Sequence, residues 1–136
     1  MAFTTLTDLV AQAAALPVAG VKTRASYRPR QINAADLPLL FTRLPGSTRA
    51  ISTLTYGQDL RHATLELVIL VQMVNLDTQA TNDALTVQLL DALAAALEAN
   101  AAALGMDSYT LTPDEDSISA GASPVQAIVA TLEVSG

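Results

Sequence analysis

The sequence predicts an α+β fold: one mostly antiparallel β-sheet with a short N-terminal helix and one long helix packed on one face. Three observations lead there. Apolar residues recur at three- and four-residue steps early in the chain, then switch to a period of two after Gly20. A run of eleven residues at 64–74 carries an unbroken apolar face. A 24-residue stretch at 81–104 returns to helical spacing and is followed by a last alternating segment at 125–134.

At 5–16, Leu6, Leu9, Val10, Ala13 and Leu16 share one face of an amphipathic helix. Thr5 or Thr7 can cap its start, and Asp8 suits the positive end of the macrodipole. Pro17 ends it, lacking an amide proton and excluding the helical conformation at Leu16. From 21 to 28, Val21, Thr23, Ala25 and Tyr27 alternate with Lys22, Arg24, Ser26 and Arg28, the pattern of a strand with one wet face. Pro29 closes it. After a polar connection, the apolar run 37–44 is bounded by Pro38 and Pro45, which suits a short strand near a sheet edge. Pro45-Gly46-Ser47 is a turn, 51–56 a strand, and Gly57-Gln58-Asp59 a second turn.

The segment 64–74 is the longest strand. Its odd positions, Leu65, Leu67, Ile69, Val71 and Met73, are wholly apolar and face the core. Its even positions set Val68, Leu70 and Val74 among Thr64, Glu66 and Gln72, so the second face is apolar in the middle and polar at its edges, as expected where something outside, such as another chain, covers it. The helix at 81–104 spans roughly 36 Å at about 1.5 Å per residue, enough to cross that strand. Thr81 or Asn82 caps it and Gly105 is placed as its left-handed C-terminal residue. Leu85, Val87, Leu89, Leu90, Leu93, Leu97 and Leu104 fill one arc. The opposite arc holds Gln88, Asp91 and Glu98 with Ala95, Ala99 and Ala102 between them, and no basic residue. Residues 107–123 form a polar loop with room for a short strand or ribbon, and 125–134 is the last strand. Neither an internal repeat nor a dividing linker appears, so 1–136 is expected to be a single domain.

Composition narrows the function. Of 136 residues, 51% are hydrophobic and only 15% charged, against a usual charged share of about 25%, which excludes disorder. The longest dense apolar run is 67–71, far short of the roughly 20 residues needed to span a bilayer, and no membrane partner is expected. The N-terminus lacks the basic region of a signal peptide, pointing to folding in a cytoplasm. A net charge of −6 argues against a nucleic-acid-binding domain. With no cysteine, disulfide scaffolds and thiolate metal sites are excluded. A mean hydropathy of +0.37 in so small a chain suggests surface buried against other chains.

Catalytic patterns are missing. The one histidine, His62, stands at a strand start beside a turn with no orienting partner, and a surface histidine is the simpler account. Scattered carboxylates give no metal-ligand spacing, and Asp114-Glu115-Asp116 lacks the alternating oxygens and central glycine of a calcium loop. Neither a phosphate loop nor a nucleophile elbow is present. No enzyme, cofactor or metal is expected.

The charge distribution says more. Lys22, Arg24, Arg28 and Arg30 are four of seven basic residues packed into nine positions, with Lys22, Arg24 and Arg28 on one face of the first strand. Asp114, Glu115 and Asp116 are concentrated in the late polar loop. Apart from a plain solvated face, the cationic stripe can receive the acidic loop of a neighbouring subunit, in head-to-tail contacts that close into a ring. Alternatively it can line a channel and meet DNA phosphates. Four cations are few beside thirteen acids, which favours the first.

The order of elements is familiar. A short helix breaks at Leu16-Pro17 and leads to Gly20-Val21. The proline-bounded segment Leu37-Pro38-Leu39-Leu40-Phe41-Thr42-Arg43-Leu44-Pro45 follows. Then come a hairpin reaching Leu65-Glu66-Leu67-Val68-Ile69-Leu70, one long helix and a terminal strand. From about Thr5 to Val134 this resembles the tail terminator (tail completion) proteins of long-tailed bacteriophages. The resemblance implies a structural virion protein at the head–tail junction, assembled in the host cytoplasm as a homo-oligomer, a hexameric ring. Such a ring caps the tail tube, ends tail polymerisation and offers a surface for head attachment. Its implied partners are the tail tube protein and a neck or head-completion protein, with DNA passing through the lumen without sequence-specific contact. Lys22, Arg24, Arg28, Arg30, Asp114, Glu115 and Asp116 are the expected subunit or tube interface. A head-closure or adaptor protein of the neck is the alternative that shares this pattern. A small ligand-binding or enzymatic domain would need a pocket of converging polar groups.

Overall fold

The computed structural model describes residues 6–29, 32–43, 53–54, 61–73, 77, 79–117 and 124–135. In chain order these form α1 (Leu6–Ala14), β1 (Thr23–Tyr27), β2 (Leu39–Arg43), β3 (Thr53–Leu54), β4 (Arg61–Met73), α2 (Gln79–Ala99), α3 (Ala101–Leu104), β5 (Met106–Ser117) and β6 (Pro124–Ser135). A single 3-10 turn, Ala34–Asp36, interrupts the connection before β2. The strands make one sheet in the order β1-β2-β4-β6-β5, with β3 paired to β4. Every pairing is antiparallel except β1 with β2, which is parallel. The fold is α+β. No helix among the described residues is long and apolar enough to cross a membrane.

The helices pack on one face of this sheet. Leu9, Val10 and Ala13 of α1, Leu89, Leu93 and Leu97 of α2, and Leu104 of α3 bury themselves against Leu65, Leu67, Ile69, Val71, Ile128, Ala130, Leu132 and Val134. The period-two positions of β4 and β6 thus supply the floor, and the helical stripes supply the roof. Beneath the helices the large pairs Leu65–Leu132 and Ile69–Ile128 flank Leu67, which stands opposite the small Ala130.

The opposite face has its own core, and the excess apolar character expected at an interface lies largely inside it. Val68 and Leu70 of β4, Phe41 of β2 and Val125 of β6 are fully buried, with Ile32 and Leu37 of the β1–β2 connection packed among them. The chain covers this face itself. The sequence expectation of an outside cover for the second face of 64–74 is therefore corrected.

The 37–44 strand lies near an edge as expected, second in the sheet between the edge strand β1 and β4. Pro38 precedes it and takes part only through its carbonyl oxygen, which accepts from the Lys22 and Thr23 amides. Several element boundaries differ from expectation. The long helix starts at Gln79, so Thr81 and Asn82 lie inside it rather than capping it, and Asn82 is buried. It breaks at Asn100, where φ is −112° and ψ 12° and the side-chain amide donates to the Ala96 carbonyl. Gly105 does take the left-handed conformation, φ 68°, at the end of α3. The largest difference is at 107–123, most of which belongs to the twelve-residue strand β5, Met106–Ser117, paired along β6. Tyr109 and Leu111 turn to the helix-side core while Ser108, Thr110 and Thr112 are exposed, an alternation that Pro113 and the acids obscure. Both features suit the edge strand it is. Of the expected 51–56 strand, only Thr53–Leu54 falls within the described residues. The turns at 45–47 and 57–59 lie outside them.

Candidate interaction edges

The strand order sets the two charged segments at opposite ends of the sheet. β1 closes one end, with Lys22 just before it, Arg24 within it and Arg28 just after. β5 closes the other, with Asp107, Asp114, Glu115 and Asp116 along its length. Between 22 and 28 there is no acid, and in β5 there is no base. Asp114, Glu115 and Asp116 are strand residues standing opposite Ala127, Gln126 and Val125, not the tip of a loop. Arg30 lies outside the described residues.

The three cations do not share one face. β1 advances three residues from Arg24 to Tyr27 while β2 advances two, from Leu40 to Thr42, so one extra residue forms a bulge in β1. Before the bulge, Arg24 pairs with Leu40 on the helix side and donates to the carbonyl oxygens of Ala14, at 3.1 Å, and Leu16. Beyond it, Arg28 stands over the Phe41 ring on the opposite side, 5.9 Å from its centroid, a cation–π contact. The bulge also moves Tyr27 away from the face of Ala25. It is 60% exposed rather than turned inward as alternation predicts. Val87, assigned to the apolar arc of the long helix, is likewise exposed, at 56%. Gln88, Asp91, Ala95, Glu98, Ala99 and Ala102 are exposed as the helical wheel predicts.

Among the described residues no cluster of three His, Asp or Glu could hold a metal ion. A groove of about 430 Å³ runs between the C-terminal end of α1 and α3, lined by Gln12, Leu16, Pro17, Asn100 and Leu104, and its lining includes no ionisable group. Two polar links hold strand positions. Arg43 donates to Glu66 through Nε and Nη2, at 3.1 and 2.9 Å, across the β2–β4 pairing. Tyr109 on β5 donates to Glu98 of α2 at 2.9 Å. That hydrogen bond, then burial, then the Glu98 charge hold the phenol pKa above its ordinary value.

Sequence alone could not have found the division of the cationic stripe, because a bulge is defined by the register of the partner strand. The C-terminal role of Arg24 had one available signal: α1 has no basic residue in its last turn, which leaves its carbonyl end for a cation from elsewhere. No protein-family model matches this chain, and no curated protein matches it.

Proposed function

We propose that this chain is a tail terminator of a long-tailed bacteriophage: a homo-oligomeric, hexameric ring that caps the tail tube, ends its polymerisation and presents the surface for head attachment. On this proposal it is a structural part of the virion at the head–tail junction and carries out no reaction. Its partners are the tail tube protein and a neck or head-completion protein, and DNA crosses the lumen without being read.

The observation that carries the proposal is the opposite charge of the two sheet edges, basic at β1 and acidic at β5. A subunit with unlike ends favours contacts in which one patch meets a different patch on the next copy, and such contacts close into rings when the rotation per subunit allows. Like edges repel, which disfavours the head-to-head alternative. The order of a short helix, the strands β1 to β4, the long helix α2 and the terminal strand β6 supports it further, with β5 an addition to the pattern that carries the resemblance.

Two measurements test the proposal. Native mass spectrometry is expected to give six times the 14.2 kDa of one chain; a monomer at concentrations well above micromolar overturns the ring. Electron microscopy of particles assembled without the protein is expected to show overlong tails. Tails of normal length beside unjoined heads would identify a neck component instead.

A further inference from the structure

β5 closes one end of the sheet, and among the described residues no strand lies beyond it. It is twelve residues long, whereas β1 at the other end has five residues and a bulge. A short, bulged edge is a poor template for another strand, but a long regular one presents a row of free backbone donors and acceptors. The middle of β5 invites such pairing. Ser108-Tyr109-Thr110-Leu111-Thr112 is uncharged, contains a tyrosine and two threonines that favour strands, and pairs with β6 without a register shift. What flanks this run is of the opposite character. Asp107 is the extra residue of a bulge, since β5 advances two residues from Met106 to Ser108 while β6 moves one, from Val134 to Glu133. At the other end Pro113 follows at once, and then Asp114, Glu115 and Asp116. The ladder passes Pro113 without a register shift, which a proline permits when its nitrogen faces the open edge. The exposed Glu133 adds a carboxylate beside the run, accepting from Ser108 Oγ at 3.1 Å.

We propose that Asp107, Pro113 and the acids at 114–116 guard the β5 edge, keeping the 108–112 run from pairing with the same edge of another copy. The bulge twists the strand away at its start, and the proline withholds a donor from any strand laid alongside. Charge disfavours the registers that remain. In an antiparallel pair centred on Thr110, Asp107 falls opposite Pro113 and diagonal to Glu115, at both ends of the pair. Sliding the centre to Glu115 sets Asp114 against Asp116. Stacking two strands parallel and in register sets every acid on its own copy, the arrangement that open-ended strand addition requires. The guard acts on single chains and on any assembly of them, so it stands whatever the copy number of the ring. It also accounts for a proline and three acids in a strand whose neighbour β6 is largely apolar at the same register positions.

The test lifts the guard and then replaces it. The quadruple variant Pro113→Thr/Asp114→Thr/Glu115→Thr/Asp116→Thr is incubated beside the wild type and followed by sedimentation and thioflavin T fluorescence. It is expected to grow into large thioflavin-positive species, with the concentration left in solution lower by about tenfold, since cross-strand pairs of like charge at several positions compound. A triple variant, Asp8→Ser/Asp77→Ser/Asp91→Ser, removes the same three charges from exposed positions off the edge and is expected to behave as the wild type. Adding Thr110→Lys to the quadruple variant puts one charge at the centre of the run. It is expected to restore solubility although it lowers the net negative charge further, which separates edge pairing from loss of overall repulsion. A quadruple variant that stays in solution like the wild type overturns the proposal. So does a triple variant that precipitates equally. Failure of Thr110→Lys to restore solubility overturns it as well, because aggregation through unfolding is not cured by one lysine on an exposed strand position.

Discussion

Arg24 Nη1 lies 3.1 Å from the carbonyl oxygen of Ala14, the last residue of α1, and donates to Leu16 as well. The final carbonyls of a helix have no partner inside it, and this one ends without a glycine cap or a basic residue of its own. A cation from the neighbouring strand satisfies them and complements the negative end of the helix dipole. The charge that looked most available for a partner is committed within its own chain.

Replacing Arg24 with Met keeps the stem and removes the donor, leaving the helix end unsatisfied. We expect a loss of about 1–3 kcal/mol in urea unfolding, in the range of charge-assisted hydrogen bonds. Arg24→Lys should recover part of it. Lys22→Glu, on an exposed side chain two residues away, should stay within about 0.5 kcal/mol. An Arg24→Met midpoint equal to the wild type would mean that Arg24 is only a solvated charge. Because Arg24 holds α1, any effect of its substitution on assembly must be corrected for folding.

The sequence made the central architecture legible because 64–74 and 125–134 are long enough for period-two patterning to stand out, and 81–104 is long enough for helical patterning. β5 was hidden by Pro113 and the acids, residues that oppose strand formation in the middle of a sheet and are tolerated at an edge. Edge or centre is a property of topology, and the proline before β2 fits its place beside the edge strand. At the candidate site, the clustering of charge was visible but its facing was not. One inserted residue between Arg24 and Tyr27 moved Tyr27 outward and Arg28 over Phe41. The apolar face of Val68 and Leu70 was legible, but its cover was expected from outside the chain. That the cover is Ile32 and Leu37 depends on a connection with no periodic signal.

Thr86 ties α2 to β6 from beneath. Its hydroxyl donates to the Asn82 carbonyl at 2.8 Å and accepts from Gln126 Nε2 at 2.8 Å. Thr86→Val preserves shape and removes both bonds, leaving the Gln126 amide one partner fewer in a half-buried place. The expected cost is about 1–2 kcal/mol, read from chemical unfolding, with Thr86→Ser restoring most of it. An unchanged Thr86→Val would show that packing alone seats α2.

Gly20 has φ +92°, a conformation that residues with a Cβ rarely adopt. A Cβ there would also stand 3.2 Å from Leu89 Cδ2, in the helix-side core. Strain and crowding act in the same direction, so Gly20→Ala should destabilise by about 1–2 kcal/mol despite the lower entropy of its unfolded chain. Thermal unfolding measures this. A raised melting temperature would mean that the turn can relax away from positive φ.

The Tyr109–Glu98 hydrogen bond makes the contact between β5 and α2 sensitive to alkali. The carboxylate accepts the phenolic proton, burial adds to the effect, and the negative charge opposes a second one beside it, so the folded-state pKa lies above the ordinary value near 10. A group whose pKa rises on folding contributes stability that is fully present below its unfolded pKa and is lost as pH rises through the folded one. The link therefore holds at neutral pH and fails above pH 10, loosening the edge strand that carries the acids. A titration of tyrosine absorbance, with Tyr109→Phe as the reference that identifies the step, should place Tyr109 above 10. Glu98→Gln should bring that step down towards the ordinary value, because the amide still accepts a hydrogen bond but no longer repels the phenolate. If the step does not move, Glu98 does not meet Tyr109 in solution, and β5 is held at its edge by the ladder to β6 and by the packing of Met106, Tyr109 and Leu111.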